Sequence, residues 1–213
     1  MTTTLLGSLK YCFYIIFHPF KGFWDMKHEK RGSLFAANIL YVTFIIFNVI
    51  STQLSGPILV IQKNINVNNI NVFLQISSIV LPILIWCVSN WAVTTLLEGE
   101  GTIKDIYMAT AYALTPSIIT CIPLIIMSNF FTVDEISSIY NFIMSVSIIW
   151  TAFLLFFGIM TIHQFTVTKN MGTFILSILG MAIIIAIALL FIYLISCVSN
   201  FVIAIFNEFS SRY

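Results

Sequence analysis

The chain has 213 residues, of which 60% are hydrophobic and only 8% charged, and its mean hydropathy is +1.04. A soluble domain carries about a quarter charged residues; a 24.1 kDa protein this poor in them cannot cover its surface with polar groups in water. Lipid is therefore the solvent for most of the chain, the net charge of +1 matters less than where the charges sit, and no nucleic-acid partner is expected.

Residues 4–17 form an apolar stretch of about fourteen residues, too short to span a bilayer. It lacks the basic leader and small-residue exit of a cleavable signal peptide. The pattern predicts an amphipathic helix lying in the membrane interface, with Lys10 snorkelling. The segment HPFKGFWDMKHEKRGS (18–33) is the most hydrophilic part of the chain. Its Lys21, Lys27, Lys30 and Arg31, interleaved with Trp24 and two phenylalanines, are predicted contacts with the inner leaflet. Residues 1–33 thus read as a cytoplasmic segment ahead of a transmembrane domain.

Five apolar runs follow within residues 34–206: 34–53, 73–97, 106–127, 136–162 and 173–206. The fold class is all-α integral membrane, a bundle of five transmembrane helices preceded by the interfacial helix. Between the first two spans, 54–72 holds an Asn-rich NINV repeat and a single charge, Lys63. The fifth run is 34 residues long, ~50 Å at 1.5 Å per residue, so it must tilt, bend or protrude from a core ~30 Å thick. Residues 207–213 form a short tail. The four cysteines, Cys12, Cys87, Cys121 and Cys197, are scattered without metal or redox spacing and read as small apolar helix residues.

Basic residues set the orientation. With the N-terminus inside, Lys10, Lys21, Lys27, Lys30, Arg31, Lys104 and Lys169 lie on the cytoplasmic side, against Lys63 and Arg212 outside. The predicted topology is N-terminus cytoplasmic, C-terminus outside.

Two places in the chain invite a functional reading. The turn EGEGTIKD (98–105) holds Glu98, Glu100, Lys104 and Asp105 between two long apolar runs. Gly99 and Gly101 are expected to let the backbone turn tightly, Thr102 to cap the third span, and Asp105 to sit at that helix's positive end. The turn lacks the GK[ST] ending of a phosphate loop; it reads as a partner-binding knob, to be tested by reversing the charge of Glu98 and Glu100. In the third span, Tyr112, Pro116 and Thr120 are spaced to share a face, with Thr115 and Pro123 nearby. Proline frees the carbonyl one turn earlier, here that of Tyr112, which in hydrocarbon needs a neighbouring helix or a wet cavity as partner. Broken helices of this kind build substrate sites in transporters.

No Asp, Glu, Lys or Arg lies in the central part of any span, whereas proton- and ion-coupled pumps keep such groups on their pathway. HExxH and GxSxG motifs, an intramembrane carboxylate pair and a nucleotide loop are all missing, so an enzyme is not expected. His18, His28 and His163 have no ligand spacing, and neither metal nor cofactor is predicted.

HPFKGFWDMKHEKRGS ahead of a helix, and then LLEGEGTIKDIYMATAYALTP with its Gly-rich turn and Tyr112-x-x-x-Pro116, resemble the Yip1-domain family of five-span membrane proteins, in particular its bacterial members. The likeness runs from about residue 18 to the last span. It implies a five-helix membrane domain with the N-terminus inside. Eukaryotic members bind Rab-type GTPases and other family members in vesicle traffic; their Asp-Leu-Tyr-Gly-Pro motif before the first span is absent here. Bacterial relatives are often encoded near sugar ABC-transporter genes, which implies ABC-transporter subunits, or further copies of the chain, as membrane partners in a bacterial plasma membrane. Two functions follow as expectations: a non-enzymatic multi-pass adaptor working through its cytoplasmic face, and a small-molecule permease or channel subunit built on the third span.

Overall fold

The computed structural model describes residues 5–54, 71–130 and 133–211. Lys63, Arg212 and the NINV repeat as far as residue 70 lie outside the described residues. Every regular element among those described is a helix: α1 (Leu5–Phe17), α2 (Pro19–His28), α3 (Leu34–Leu54), α4 (Val72–Leu96), α5 (Ile103–Ala113), α6 (Thr115–Phe130), α7 (Val133–His163) and α8 (Val167–Ser211). Five helical stretches are long and apolar enough to cross a membrane, with α5 and α6 forming one span broken at Leu114. The five-span architecture is therefore the one expected, because only a helix satisfies its own backbone donors and acceptors in hydrocarbon.

Three boundaries depart from the hydropathy pattern, each for a local reason. The third span starts at Ile103, not 106, because Thr102 caps it. Its Oγ1 accepts from the Asp105 N–H, while Asp105 Oδ2 accepts from the Thr102 N–H at 2.9 Å, a reciprocal capping box. The last helix begins at Val167, six residues early, where Thr166 Oγ1 accepts from the Lys169 N–H. Residues 19–28 are helical: Pro19 occupies the first turn, where a missing N–H costs nothing.

The core sits at the end of the bundle that carries α2. It is built round α5, whose Ala109, Ala111 and Ala113 are buried beside Ala36 and Ala37 of α3. Lipid offers no hydrophobic drive between spans, so close backbone approach at small residues does the packing. The N-terminal helix α1 belongs to this core. Ser8, Tyr11, Cys12 and Ile15, at helical spacing, face the bundle, and Phe13 and Phe17 point away. Burial pushes the Cys12 thiol up to about 11, so it stays protonated and inert.

The last helix is attached along one polar stripe. Asn170, Thr173 and Ser177 are buried at i, i+3 and i+7, with Gly180 one turn on. Ser89 Oγ donates to the Ser177 carbonyl at 2.6 Å and Asn90 Nδ2 to Ser177 Oγ at 3.1 Å. Asn170 Nδ2 donates to the Phe156 carbonyl of α7 at 2.9 Å. From Ile185 to Glu208 every residue is exposed. The helix is 45 residues long, ~67 Å at 1.5 Å per residue, more than twice the ~30 Å hydrocarbon core.

Candidate functional site

Three helices, α2, α4 and α7, end at the same end of the bundle, and each is followed within two residues by a non-glycine residue with left-handed backbone: Lys30 (φ 52°), Glu98 (φ 57°) and Gln164 (φ 54°). At the end of α4 the Glu98 N–H donates to the Thr95 carbonyl at 3.3 Å and the Gly99 N–H to that of Thr94 at 2.8 Å. At the end of α7 the Gln164 N–H reaches Thr161 O at 3.4 Å and the Phe165 N–H reaches Met160 O at 3.0 Å. Both are Schellman closures, whose left-handed position normally belongs to glycine. The neighbouring glycines were expected to make the turn at 98–102, but neither has a positive φ. They are needed for room. A Cβ at Gly101 would stand 2.5 Å from Ile162 Cγ2 and 2.7 Å from His163 Cε1, and one at Gly99 would strike His163 Nδ1.

This turn is fastened to the end of α7. The Gly101 N–H donates to His163 Nδ1 at 3.2 Å, so a neutral His163 ring carries its proton on Nε2, which is buried without a partner among the described residues. Lys27 of α2 donates from Nζ to the Ile162 carbonyl at 2.8 Å, a C-terminal carbonyl of α7, and to Glu100 Oε2 at 3.3 Å. Gln164 Nε2 adds a bond to the same Glu100 oxygen at 2.6 Å. A cation at a helix C-terminus also meets the negative end of the macrodipole. Phe23 packs on Gly158, where a Cβ would lie 3.0 Å from its ring. Thus α2, the 98–102 turn and the end of α7 form one rigid face.

The predicted contact residues divide accordingly. Glu98, Lys21, Lys30 and Lys104 are exposed. Glu100 and Lys27 are tied to each other, with Lys27 only 15% exposed. Asp105 is spent on its cap. Trp24 stacks on His28 at 4.4 Å. Arg31 pairs with Glu29 at 2.6 Å, and that hydrogen bond holds its guanidinium above the usual range. Its other side lies 4.0 Å from the buried carboxylate of Asp25.

The third-span residues are packed. Tyr112 is fully buried and its hydroxyl donates to the Ser8 carbonyl of α1 at 3.2 Å. The carbonyl that Pro116 frees is that of Tyr112, and its partner is the Thr115 hydroxyl, 2.7 Å away. Thr120 turns toward α7, donating to Ser147 Oγ at 2.9 Å, beside a Ser117–Thr151 pair also at 2.9 Å. Pro123 is exposed. Because the helix is interrupted at Leu114, Tyr112 and Thr120 reach different neighbours. Thr115→Val should lower stability by about 1–3 kcal/mol, the cost of orphaning a buried acceptor, and Thr115→Ser should not. In a Pro116→Ala background, where the backbone N–H returns, the Thr115→Val penalty should shrink. A thermal-melt double-mutant cycle in detergent reads this directly; equal penalties in both backgrounds would refute the assignment.

Sequence reasoning missed the structural roles of His163, which it noted only for its lack of ligand spacing, and of Lys27, which it read as an inner-leaflet contact. Two signals pointed there: a Gly-x-Gly pair leaves space that something must fill, and His163 ends an otherwise apolar span. The Yip1 domain family model matches residues 13–190, from within α1 to the middle of α8. No curated protein and no solved structure matches the chain.

Proposed function

The chain belongs to the Yip1 domain family, and from that membership we propose that it is a non-enzymatic, multi-pass adaptor that holds a partner membrane protein on the face made by α2, the 98–102 turn and the end of α7. The observation that carries this reading is the set of left-handed caps. A side chain in that conformation costs about 1–2 kcal/mol, and glycine would avoid it. Lys30, Glu98 and Gln164 keep long polar side chains there, all exposed and all at one end. Strain retained on an exposed, rigid surface is a pointer to use. The basic count across the loops supports placing this end in the cytoplasm, where Lys21 and Lys30 would also meet anionic lipid. ABC-transporter subunits, or further copies of this chain, are the partners to look for first.

The test separates fold from recognition. Glu98→Gly and Lys30→Gly should each leave stability equal or higher, by up to about 1 kcal/mol, yet reduce recovery of partners in mild-detergent affinity purification from the native membrane. Glu98→Lys should do the same. Glu100 is a poorer probe, because reversing it also breaks the Lys27 and Gln164 contacts. Partner recovery that survives both glycine variants would defeat the proposal.

A further inference from the structure

Between α3 and α4 the bundle is open. A crevice of about 410 Å³ has Val42 and Ile45 of α3 on one wall, Val80 and Leu84 of α4 on the other, and Tyr41 and Tyr107 behind. A second space of about 210 Å³ adjoins it, sharing Leu84 and Tyr107, and is bordered by Leu34, Val88, Ile103 and Lys104. The two spans are pinned beyond the deep end, where Gln75 Nε2 of α4 donates to the Asn48 carbonyl at 3.1 Å and to Thr52 Oγ1 at 2.6 Å. At the shallow end Tyr41 donates to the Tyr107 carbonyl and Tyr107 to Asn38 Oδ1, at 2.9 and 2.8 Å. The walls are thus tied to each other at the deep end, and α3 is tied to α5 at the shallow end, behind the opening.

We propose that this crevice binds one acyl chain of an anionic phospholipid, with the lipid phosphate at Lys104. Depth, lining and charge each support the assignment. From Leu34 to Ile45 the helix descends ~16 Å at 1.5 Å per residue, about half of a ~30 Å hydrocarbon core, so the crevice is one leaflet deep. Its lining is apolar except near the mouth. There Asn38, whose Oδ1 is taken by Tyr107, has its amide N–H groups without a partner among the described residues and available to an ester carbonyl of the bound lipid. Lys104 is exposed at the mouth and has neither ion pair nor hydrogen bond among the described residues. The acids nearest in sequence are occupied: Asp105 by Thr102 and Glu100 by Lys27 and Gln164. An unpaired cation above a leaflet-deep apolar slot is complementary to a lipid that ends in a phosphate and carries net negative charge, more than to a zwitterionic one.

Native mass spectrometry of the full chain in detergent, with equal amounts of phosphatidylglycerol and phosphatidylcholine of identical chains, tests this. Wild type should retain one phosphatidylglycerol about fivefold in preference to phosphatidylcholine, the worth of one base near a lipid surface. Lys104→Gln should bring that ratio toward one while the phosphatidylcholine adduct persists. Val42→Phe with Leu84→Phe should remove both adducts; both positions are about half exposed, so the fold tolerates them, and Val42→Phe alone gives the same reading if the pair does not express. Millimolar glycerol phosphate should not displace the lipid. Equal retention of the two lipids by wild type, a preference that survives Lys104→Gln, adducts that survive the filled crevice, or displacement by glycerol phosphate would each overturn the proposal.

Discussion

Gly101→Val should be among the most damaging single substitutions at the α2 end, lowering stability by about 3 kcal/mol or more. Two penalties act together. The first is overpacking, typically about 1–3 kcal/mol in a filled core. The Cβ would enter a space bounded by Ile162 Cγ2 at 2.5 Å and the His163 ring at 2.7–2.9 Å. That ring cannot retreat, because it is fully enclosed and stacks on Phe165 at 5.3 Å. The second is the lost Gly101 N–H bond to His163 Nδ1. A displaced turn would leave the imidazole with neither nitrogen satisfied, at about 1–3 kcal/mol for a buried acceptor. For a chain of this length the melting temperature should fall by roughly 6–12 °C. Gly172 supplies the control, since no atom lies within 4 Å of a Cβ placed there. Gly172→Ala should be neutral or slightly stabilising, because alanine is the better helix former. If Gly101→Val melts with wild type, the turn is not clamped on His163 and the rigid face does not exist.

Span number and type were legible in the sequence because hydrocarbon imposes a simple rule. A run of about 20 apolar residues must be a helix, and residues 34–206 contain five such runs. The Thr102–Asp105 cap was legible for a similar reason, since its chemistry is local: side chain and backbone partner are three residues apart. What escaped the sequence was tertiary. Residues 19–28 carry three charged side chains and look like headgroup ligands, yet Lys27 is spent inside the protein on a carbonyl 135 residues away. The freed Tyr112 carbonyl needs a partner, expected from a neighbouring helix or a wet cavity. That partner was Thr115, the residue beside the proline, and a local hydroxyl removes the need for a cavity. The glycines of the turn were assigned a conformational role when their role is spatial, and the residue that bears the strained φ is Glu98. Periodicity reports which face is apolar; it does not report which residue meets which across the bundle.

Gly180→Leu should release α8 from the rest of the bundle. The helix is long, but its attachment is short: Asn170, Thr173, Ser177 and Gly180 mark a stripe under three turns in length, and from Ile185 to Glu208 its residues are exposed. Within that stripe Gly180 lies directly against Ser89 Oγ, so a side chain there collides with the serine. Ser89 has no freedom to yield, because its hydroxyl is the donor to Ser177 O at 2.6 Å and its side chain is buried. Pushing the helices apart therefore breaks the Ser89 and Asn90 bonds as well, leaving polar groups of both spans in hydrocarbon. Lipid does not drive the two helices back together, since tails solvate leucine as well as a neighbouring span does. The readout is association. With a protease site placed between the exposed Thr166 and Val167, cleaved wild type should keep α8 bound through detergent purification, and cleaved Gly180→Leu should lose most of it. Retention of α8 in both would mean that the apolar length beyond Ile185, not the polar stripe, holds the helix.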